Sequence, residues 1–287
     1  MVMPVRRLID VMHLGRDRVI GAYEVDGAIV DPGPSSSVAA LDGIEPRALL
    51  LTHIHLDHAG ATGVLVRRWP GLRVYVHERG APHLVDPARL LRSAERLYGD
   101  RMETLWGEVA PVPEENVVAL SGGETVEGFR VAYTPGHASH HVSYLHEATG
   151  DAYVGDVGGV RVPPSDLTIA PTPPPDIDVE LWLRSIDLVE SWSPAALCLT
   201  HFGAVDDASA GLDRAREALR RQLEWAEAGP ETFAARHAET IRRALDEEEA
   251  LRLEQAAPAD QLRAGLERHL AKRAEAATAQ GPEASRA

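Results

Sequence analysis

Cysteine and lysine are almost absent: Cys198 and Lys272 are the only examples in 287 residues. A single cysteine excludes a disulfide within the chain, and its place in the apolar run AALCLT (195–200) reads as a small buried side chain. Basic residues are scarce too, 29 against 44 acidic, for a formal charge of −15. Such a surface repels phosphate backbones. With aromatics at 5% there is no basic stretch interleaved with aromatics for stacking bases, so nucleic acid is not an expected partner. No segment approaches the roughly 20 apolar residues that span a bilayer. The opening MVMPVRRLIDVMHLG lacks a signal peptide's apolar stretch and cleavage site. The expectation is a cytoplasmic protein with no membrane partner.

What is present is a globular composition, 44% hydrophobic, enough for one large domain or a domain with a smaller appendage. Residues 1–35 read as strands, with Asp26-Gly27 marking a hairpin and the DPGP at 31–34 ending its second strand. The runs at 47–52, 72–77 and 195–200 read as strands, 116–133 as strands broken by Gly122-Gly123, and 142–146 with 151–155 as a further pair. Residues 87–106 read as helical, and 179–192 as a helix capped by Asp178. Between them, 163–175 holds six prolines and reads as an ordered surface loop. From about 209 strand signals stop. Three amphipathic helices follow, around Leu212–Ala226, Phe233–Leu245 and Leu262–Leu270, and then a small, polar, frayed tail. The order predicts an α/β domain over 1–208 and a helical region over 209–287.

The stretch LLLTHIHLDHAGATG (49–63) closes an apolar run and then sets His53, His55, Asp57 and His58 within six residues. On an extended segment, residues two apart point to the same side; on a helix they diverge by about 200°. His53 and His55 at a strand end therefore reach one ion, and Asp57 and His58 face a second as the chain turns. Neutral imidazole and carboxylate suit zinc, and iron and manganese accept them. One such histidine would be an ordinary solvated turn residue; four potential ligands directly after a buried strand are not. His137 in TPGHASHH, Asp156 in YVGDVGG and His201 in LCLTHFG stand at comparable strand ends, where loops carry site residues on a rigid scaffold. His140 and His141 read as structural or exposed. Asp31 reads either as a turn residue or, with Thr200, as a partner that orients an imidazole.

THIHLDH matches the HxHxDH signature of the metallo-β-lactamase superfamily, and GH at 136–137, GD at 155–156 and TH at 200–201 match its later motifs. Over roughly residues 5–205 the chain resembles a metallo-β-lactamase-fold hydrolase. The resemblance implies an αββα sandwich with the metals at one edge and a C-terminal helical appendage. It implies two divalent ions, Zn2+ first with iron or manganese as alternatives. By that pattern His53, His55 and His137 hold one ion, Asp57, His58 and His201 the other, and Asp156 bridges them. Two ions about 3.5–4 Å apart share a water and lower its pKa. The expected reaction is cleavage of a thioester or ester by the bridging hydroxide, with Asp57 orienting it and shuttling its proton.

The ligand set and helical end are similar to glyoxalase II, the hydroxyacylglutathione hydrolases, in which basic residues of the appendage help bind glutathione. Arg242, Arg243, Arg263 and Lys272 are basic here, while the family's GHT is GHA at 136–138, which leaves the acyl carrier open. The alternatives are a quorum-signal lactonase, a phosphodiesterase and a mononuclear iron sulfur dioxygenase. The lactonases carry a tyrosine three residues after the bridging aspartate, where this chain has Gly159; the dioxygenases use fewer ligands. Residues 86–110, with Met102, Leu105 and Trp106, the proline-rich loop and the C-terminal helices are expected to shape a pocket for a small-molecule substrate with an apolar part. The helices alternatively form a homodimer interface.

Overall fold

At Asp26-Gly27 the chain reverses in two residues, both at positive φ (48° and 77°), the backbone that matches strand twist in a tight hairpin. The structure, a computed structural model, describes residues 6–279. Residues 1–5, placed with the first strands above, and the tail at 280–287 lie outside the described residues. The first sheet comprises β1 (Arg7–Asp10), β2 (Gly21–Val25), β3 (Ala28–Val30), β4 (Ala48–Leu50), β5 (Arg73–His77) and β6 (Val117–Leu120) in that spatial order. It is antiparallel up to β3 and parallel from β3 to β6. The second sheet starts with β7 (Thr125–Val126), β8 (Phe129–Tyr133), β9 (Val142–His146) and β10 (Asp151–Tyr153). After a small ribbon of β11 (Val160–Arg161) and β12 (Thr168–Ile169), it is completed by β13 (Ala196–Leu199) and β14 (Gly203–Val205), in the order β14-β13-β10-β9-β8-β7.

Side-chain alternation explains why both faces of the sheets are covered. Ala48 and Leu50 pack in a core with Tyr144, Tyr153 and Cys198, between the sheets. Leu49 and Leu51, one residue out of phase, pack outward with Leu65, Val66 and Leu84, which belong to α2 (Thr62–Arg68) and α3 (Ala81–Val85). In β13, Cys198 points between the sheets while Leu197 and Leu199 pack against Ile186, Leu212 and Leu219. Those three belong to α6 (Val179–Glu190) and α7 (Ala208–Glu227). A strand buried on both faces needs apolar residues at every position, and each such side chain stabilises by about 1.5–3 kcal/mol. The layers are therefore helix, sheet, sheet, helix. Asp178 caps α6 as expected, accepting from the Leu181 N–H at 2.8 Å.

Two expectations need correcting. Among the described residues the C-terminal region holds α8 (Pro230–Ala244), α9 (Glu247–Ala256) and α10 (Ala259–Ala279) after α7, four helices and not three. α9 has a full capping box of Asp246 and Glu249, but it buries little beyond Arg252 and Leu253, too little for an apolar period to show. The proline-rich stretch is not all loop, since Thr168–Ile169 pairs with Val160–Arg161. The remainder is clamped under α10. Thr172 donates to the Leu262 carbonyl at 2.8 Å, Lys272 donates to the Pro175 carbonyl at 2.8 Å, and Gly265 sits so close that a Cβ there would lie 1.9 Å from the Thr172 oxygen. Among the described residues no helix is long and apolar enough to cross a membrane.

Candidate metal centre

β3, β4, β8, β10 and β13 all end at one edge of the sandwich, and each is followed by a candidate residue: Asp31, His53, His137, Asp156 and His201 in turn. The Val142 N–H donates to the Thr52 carbonyl at 2.8 Å, joining the two sheets at that edge. After His55 the chain winds into α1 (Leu56–Ala59), which carries Asp57 and His58, with the His58 ring 4.1 Å from that of His53. The backbone must come close here. Gly155 has φ 46°, and a Cβ on it would lie 2.5 Å from the Thr52 hydroxyl.

All seven sequence-selected candidates are brought together, in two groups. His53, His55, His137 and Asp156 offer ligand atoms within 4.8 Å of one another, and so do Asp57, His58 and His201. Asp156 spans them, with Oδ2 3.2 Å from His137 Nε2 and Oδ1 3.1 Å from His58 Nε2.

Hydrogen bonds at the far side of the rings fix which nitrogens face inward. His137 Nδ1 donates to the Pro171 carbonyl (2.8 Å), His201 Nδ1 to the Val19 carbonyl (2.7 Å) and His58 Nδ1 to Asp31 (2.8 Å). The Thr52 hydroxyl donates to Asp31 at 2.7 Å, so its oxygen is left to accept from His53 Nδ1 at 3.1 Å. With Nδ1 engaged, these four imidazoles turn Nε2 to the centre, the atom that is free to bind an ion. His55 Nδ1 lies 3.0 Å from both His53 Nε2 and His137 Nε2, and one N–H cannot satisfy both. In the other group the Nε2 atoms of His58 and His201 face carboxylate oxygens, and His58 Nε2 and Asp156 Oδ1 make no hydrogen bond. Three imidazoles held toward their neutral form converge with Asp156 in the first group, and two imidazoles converge with Asp57 and Asp156 in the second, so the donor set fits divalent metal ions.

Electrostatics separates the groups. Burial, reinforced by the neighbouring imidazoles, holds His53 well below the ordinary histidine pKa; burial and His137 bring His55 to about 4. Burial also opposes charge on His58, yet Asp156, Asp57 and Asp31 together raise it well above its usual value. Asp156 lies well below the carboxylate range: burial works against its charge, and His58, His137 and His201 outweigh that.

Asp31 is an anchor and more than a turn residue. It is fully buried and accepts from the Thr52 N–H and hydroxyl, the Thr200 hydroxyl and His58. His140 and His141 are structural but not exposed. His141 is buried, bonds Thr134 at 2.9 Å and stacks on His53 at 5.1 Å, while His140 lines the cavity above.

That cavity has a volume of about 940 Å³. His55, Asp57, Asp156 and His201 lie on its floor. One wall is formed by α4 (Ala88–Tyr98) and α5 (Met102–Trp106), and the facing wall by the loop prolines and the junction of α9 and α10. Leu105 and Trp106 line it as expected, whereas Met102 does not and packs against the cluster of Leu56, Ala94, Leu105 and Trp106. The basic residues singled out on the C-terminal helices do not reach it. Arg243 pairs with Glu239, Arg263 with Glu267, and Lys272 caps the proline loop. The arginines that do line it are Arg16, Arg79, Arg89 and Arg101. Sequence reasoning missed His13 in the lining, and Tyr98 lies within the expected 86–110 region without having been singled out for the pocket. His13 belongs to no motif, and Tyr98 carried only a helical period.

Residues 22–201 match the family model of the metallo-beta-lactamase superfamily. The metallo-beta-lactamase fold-containing protein ST1585 of Sulfurisphaera tokodaii is 29% identical over 188 residues, which cover 62% of this chain and 69% of that one. A hydroxyacylglutathione hydrolase of Xylella fastidiosa is 33% identical over 120 residues, 41% of this chain but only 36% of that relative's length. The crystal structure of the metallo-beta-lactamase family protein TTHA1429 from Thermus thermophilus superposes with a TM-score of 0.65 over 95% of this chain and 94% of its own, at 23% identity. That last likeness concerns the fold.

Proposed function

The chain belongs to the metallo-beta-lactamase superfamily, and from that premise we propose that it is a two-metal hydrolase of thioesters or esters. The observation that carries the reading is Asp156, one carboxylate whose two oxygens address two separate histidine groups. His53, His55 and His137 would hold one ion, Asp57, His58 and His201 the other, with zinc the first choice for such donors. When bound, the ions supply a Lewis acid for the scissile carbonyl and lower the pKa of the attacking water.

The protein's own groups do the rest. Asp31 holds His58 in one tautomer, and the Pro171 and Val19 carbonyls do the same for His137 and His201. Asp57 keeps 22% of its side chain open to the cavity, against 5% for Asp156. It can therefore take a proton from the attacking water and pass it to the leaving thiol or alcohol. Cys198 is no rival nucleophile: it is buried, and burial with Asp151 pushes its thiol up to about 12.

A lactonase of the tyrosine-bearing kind is disfavoured. Gly159 has φ 83°, and a Cβ there would lie 2.7 Å from Thr168 Cγ2. A carrier other than glutathione is favoured by the placement of the C-terminal basic residues away from the cavity.

Two measurements test the reading. Asp57→Asn should lower kcat by about 10²–10⁴-fold while metal content by elemental analysis persists; near-normal turnover in that variant removes the proposed role. Initial rates on metal-loaded protein should favour a simple acyl thioester over an acyl-homoserine lactone and a phosphodiester. Preference for either of the latter would leave the site and overturn the substrate.

A further inference from the structure

We propose, resting on the hydrolase reading above, that the cavity accepts a long apolar chain of its substrate, so that the physiological substrate is an amphiphilic thioester or ester and not one with only small groups on each side. Among the described residues six large hydrophobics are markedly exposed, and three of them, Leu14 (46%), Leu97 (41%) and Leu251 (47%), line this one cavity. They come from the N-terminal turn, α4 and α9, so no local sequence effect gathers them. A single exposed leucine is ordinary; leucines converging on one rim from three distant segments mark a surface that binds something apolar.

The apolar surface continues inward. Leu90, Ala94, Leu97 and Tyr98 fall at i, i+4, i+7 and i+8 of α4, one helical face, and all four line the cavity. At 1.5 Å per residue this face is a strip about 12 Å long. It runs toward Trp106, which meets Tyr98 edge-on at 5.1 Å and stacks flat on His13 at 5.6 Å. Opposite stand Ala256, Ala257, Pro258 and Leu262, short or apolar side chains that leave room. Of the charged residues around the cavity beyond its floor, Arg79, Arg89, Arg101, Glu254 and Asp260 are exposed to water, and Arg16 and Asp176 are half-buried at its rim. The volume, about 940 Å³, is at the upper end for small-molecule sites, roughly 300–1,000 Å³. A small acyl group would leave most of this surface uncovered.

The chain could belong to the acyl part or to the leaving group, and isomeric substrates distinguish them. On metal-loaded protein, kcat/KM is measured for S-ethyl octanethioate, S-octyl ethanethioate and the short S-ethyl ethanethioate. At least one long isomer should exceed the short ester by more than tenfold, and the preferred isomer identifies the side. The double substitution Leu97→Asp and Leu251→Asp, at exposed positions, should reduce that long-to-short ratio about tenfold. Calorimetry on the same protein should show octanoate binding at least tenfold tighter than acetate, with a negative heat-capacity change. Equal kcat/KM for all three esters, with octanoate and acetate bound alike, overturns the chain pocket and leaves the hydrolase reading standing. No hydrolysis of any ester, with octanoate bound tightly, overturns the reaction and leaves the pocket.

Discussion

Asp156 and Leu251 both line the cavity, but the first lies on a strand end and is 3% exposed, while the second lies on a helix and is 47% exposed. They represent two regions built differently. The floor is polar, buried and braced from both sheets, and nearly every inward-facing nitrogen is aimed by a hydrogen bond on its far side. The roof is made of α4, α5 and the junction of α9 and α10, packed loosely enough to leave leucines in water. The lesson is a difference in construction: the candidate ligands sit on strand termini held from both sheets, and the walls above them sit on helices that none of the floor's hydrogen bonds reach.

Substitutions can break that difference or sharpen it, beginning with the largest effect. His55→Ala should abolish measurable turnover and reduce bound metal while the circular dichroism spectrum stays unchanged; full metal content and rate would mean that His55 is not a ligand. Removing metal with a chelator should lower the melting temperature. Saturation at a hundred times Kd is worth about 2.7 kcal/mol, and each kcal/mol shifts Tm by about 2–4 °C in a chain near this size. Asp31→Asn leaves every candidate ligand in place but weakens the brace on His58, so metal affinity should fall about 10–100-fold, read by competition with a chromogenic chelator. In the roof, Gly265→Ala drives a methyl into the Thr172 carbonyl. A loss of about 1–3 kcal/mol is expected from overpacking, seen in denaturant melts with metal stoichiometry preserved. Loss of metal in that variant would make floor and roof one cooperative unit. The smallest effect is Arg252→Met, which removes two bonds to Asp17 (2.7 and 2.9 Å) and a pair with Glu248, acid partners that are 41% and 76% exposed. About 0.2–1 kcal/mol is expected for such a pair.

The same contrast explains what could be read from the residues alone. The floor was legible because imidazole and carboxylate at the ends of doubly buried strands have few other uses; unbroken runs such as LLL at 49–51 marked strands covered on both faces, while the αββα layering came from the family resemblance. The hairpin was legible because Asp-Gly admits the backbone that its turn requires. The roof was not. The period of α4 predicts an apolar face at Leu90, Ala94 and Leu97, but not whether that face meets a core or a cavity. That depends on residues such as Leu262, more than a hundred and sixty positions later. α9 escaped notice because polar bonds hold it in place, with its cap at Asp246 and Arg252 reaching Asp17. His13 escaped because its neighbours Trp106 and Gln255 are remote in sequence. His141 was underrated because a histidine filling space behind another histidine has no spacing rule.

The ties between the N-terminal turn and α9 have a consequence for how the molecule is made. Arg252 bonds Asp17, Gln255 bonds the His13 carbonyl and Arg16 bonds the Leu251 carbonyl, across 235 to 242 positions. Every candidate metal ligand has been synthesised by His201, whereas these ties wait for residues beyond 250. At about 5–20 residues per second on the ribosome, the interval lasts several seconds. During it the sandwich can fold with the apolar face of α4 open to water. Contacts of such long range also close slowly. The nascent chain is therefore expected to pass through a stage in which metal can enter an uncovered dish, and closure of the cavity is the last act of its folding.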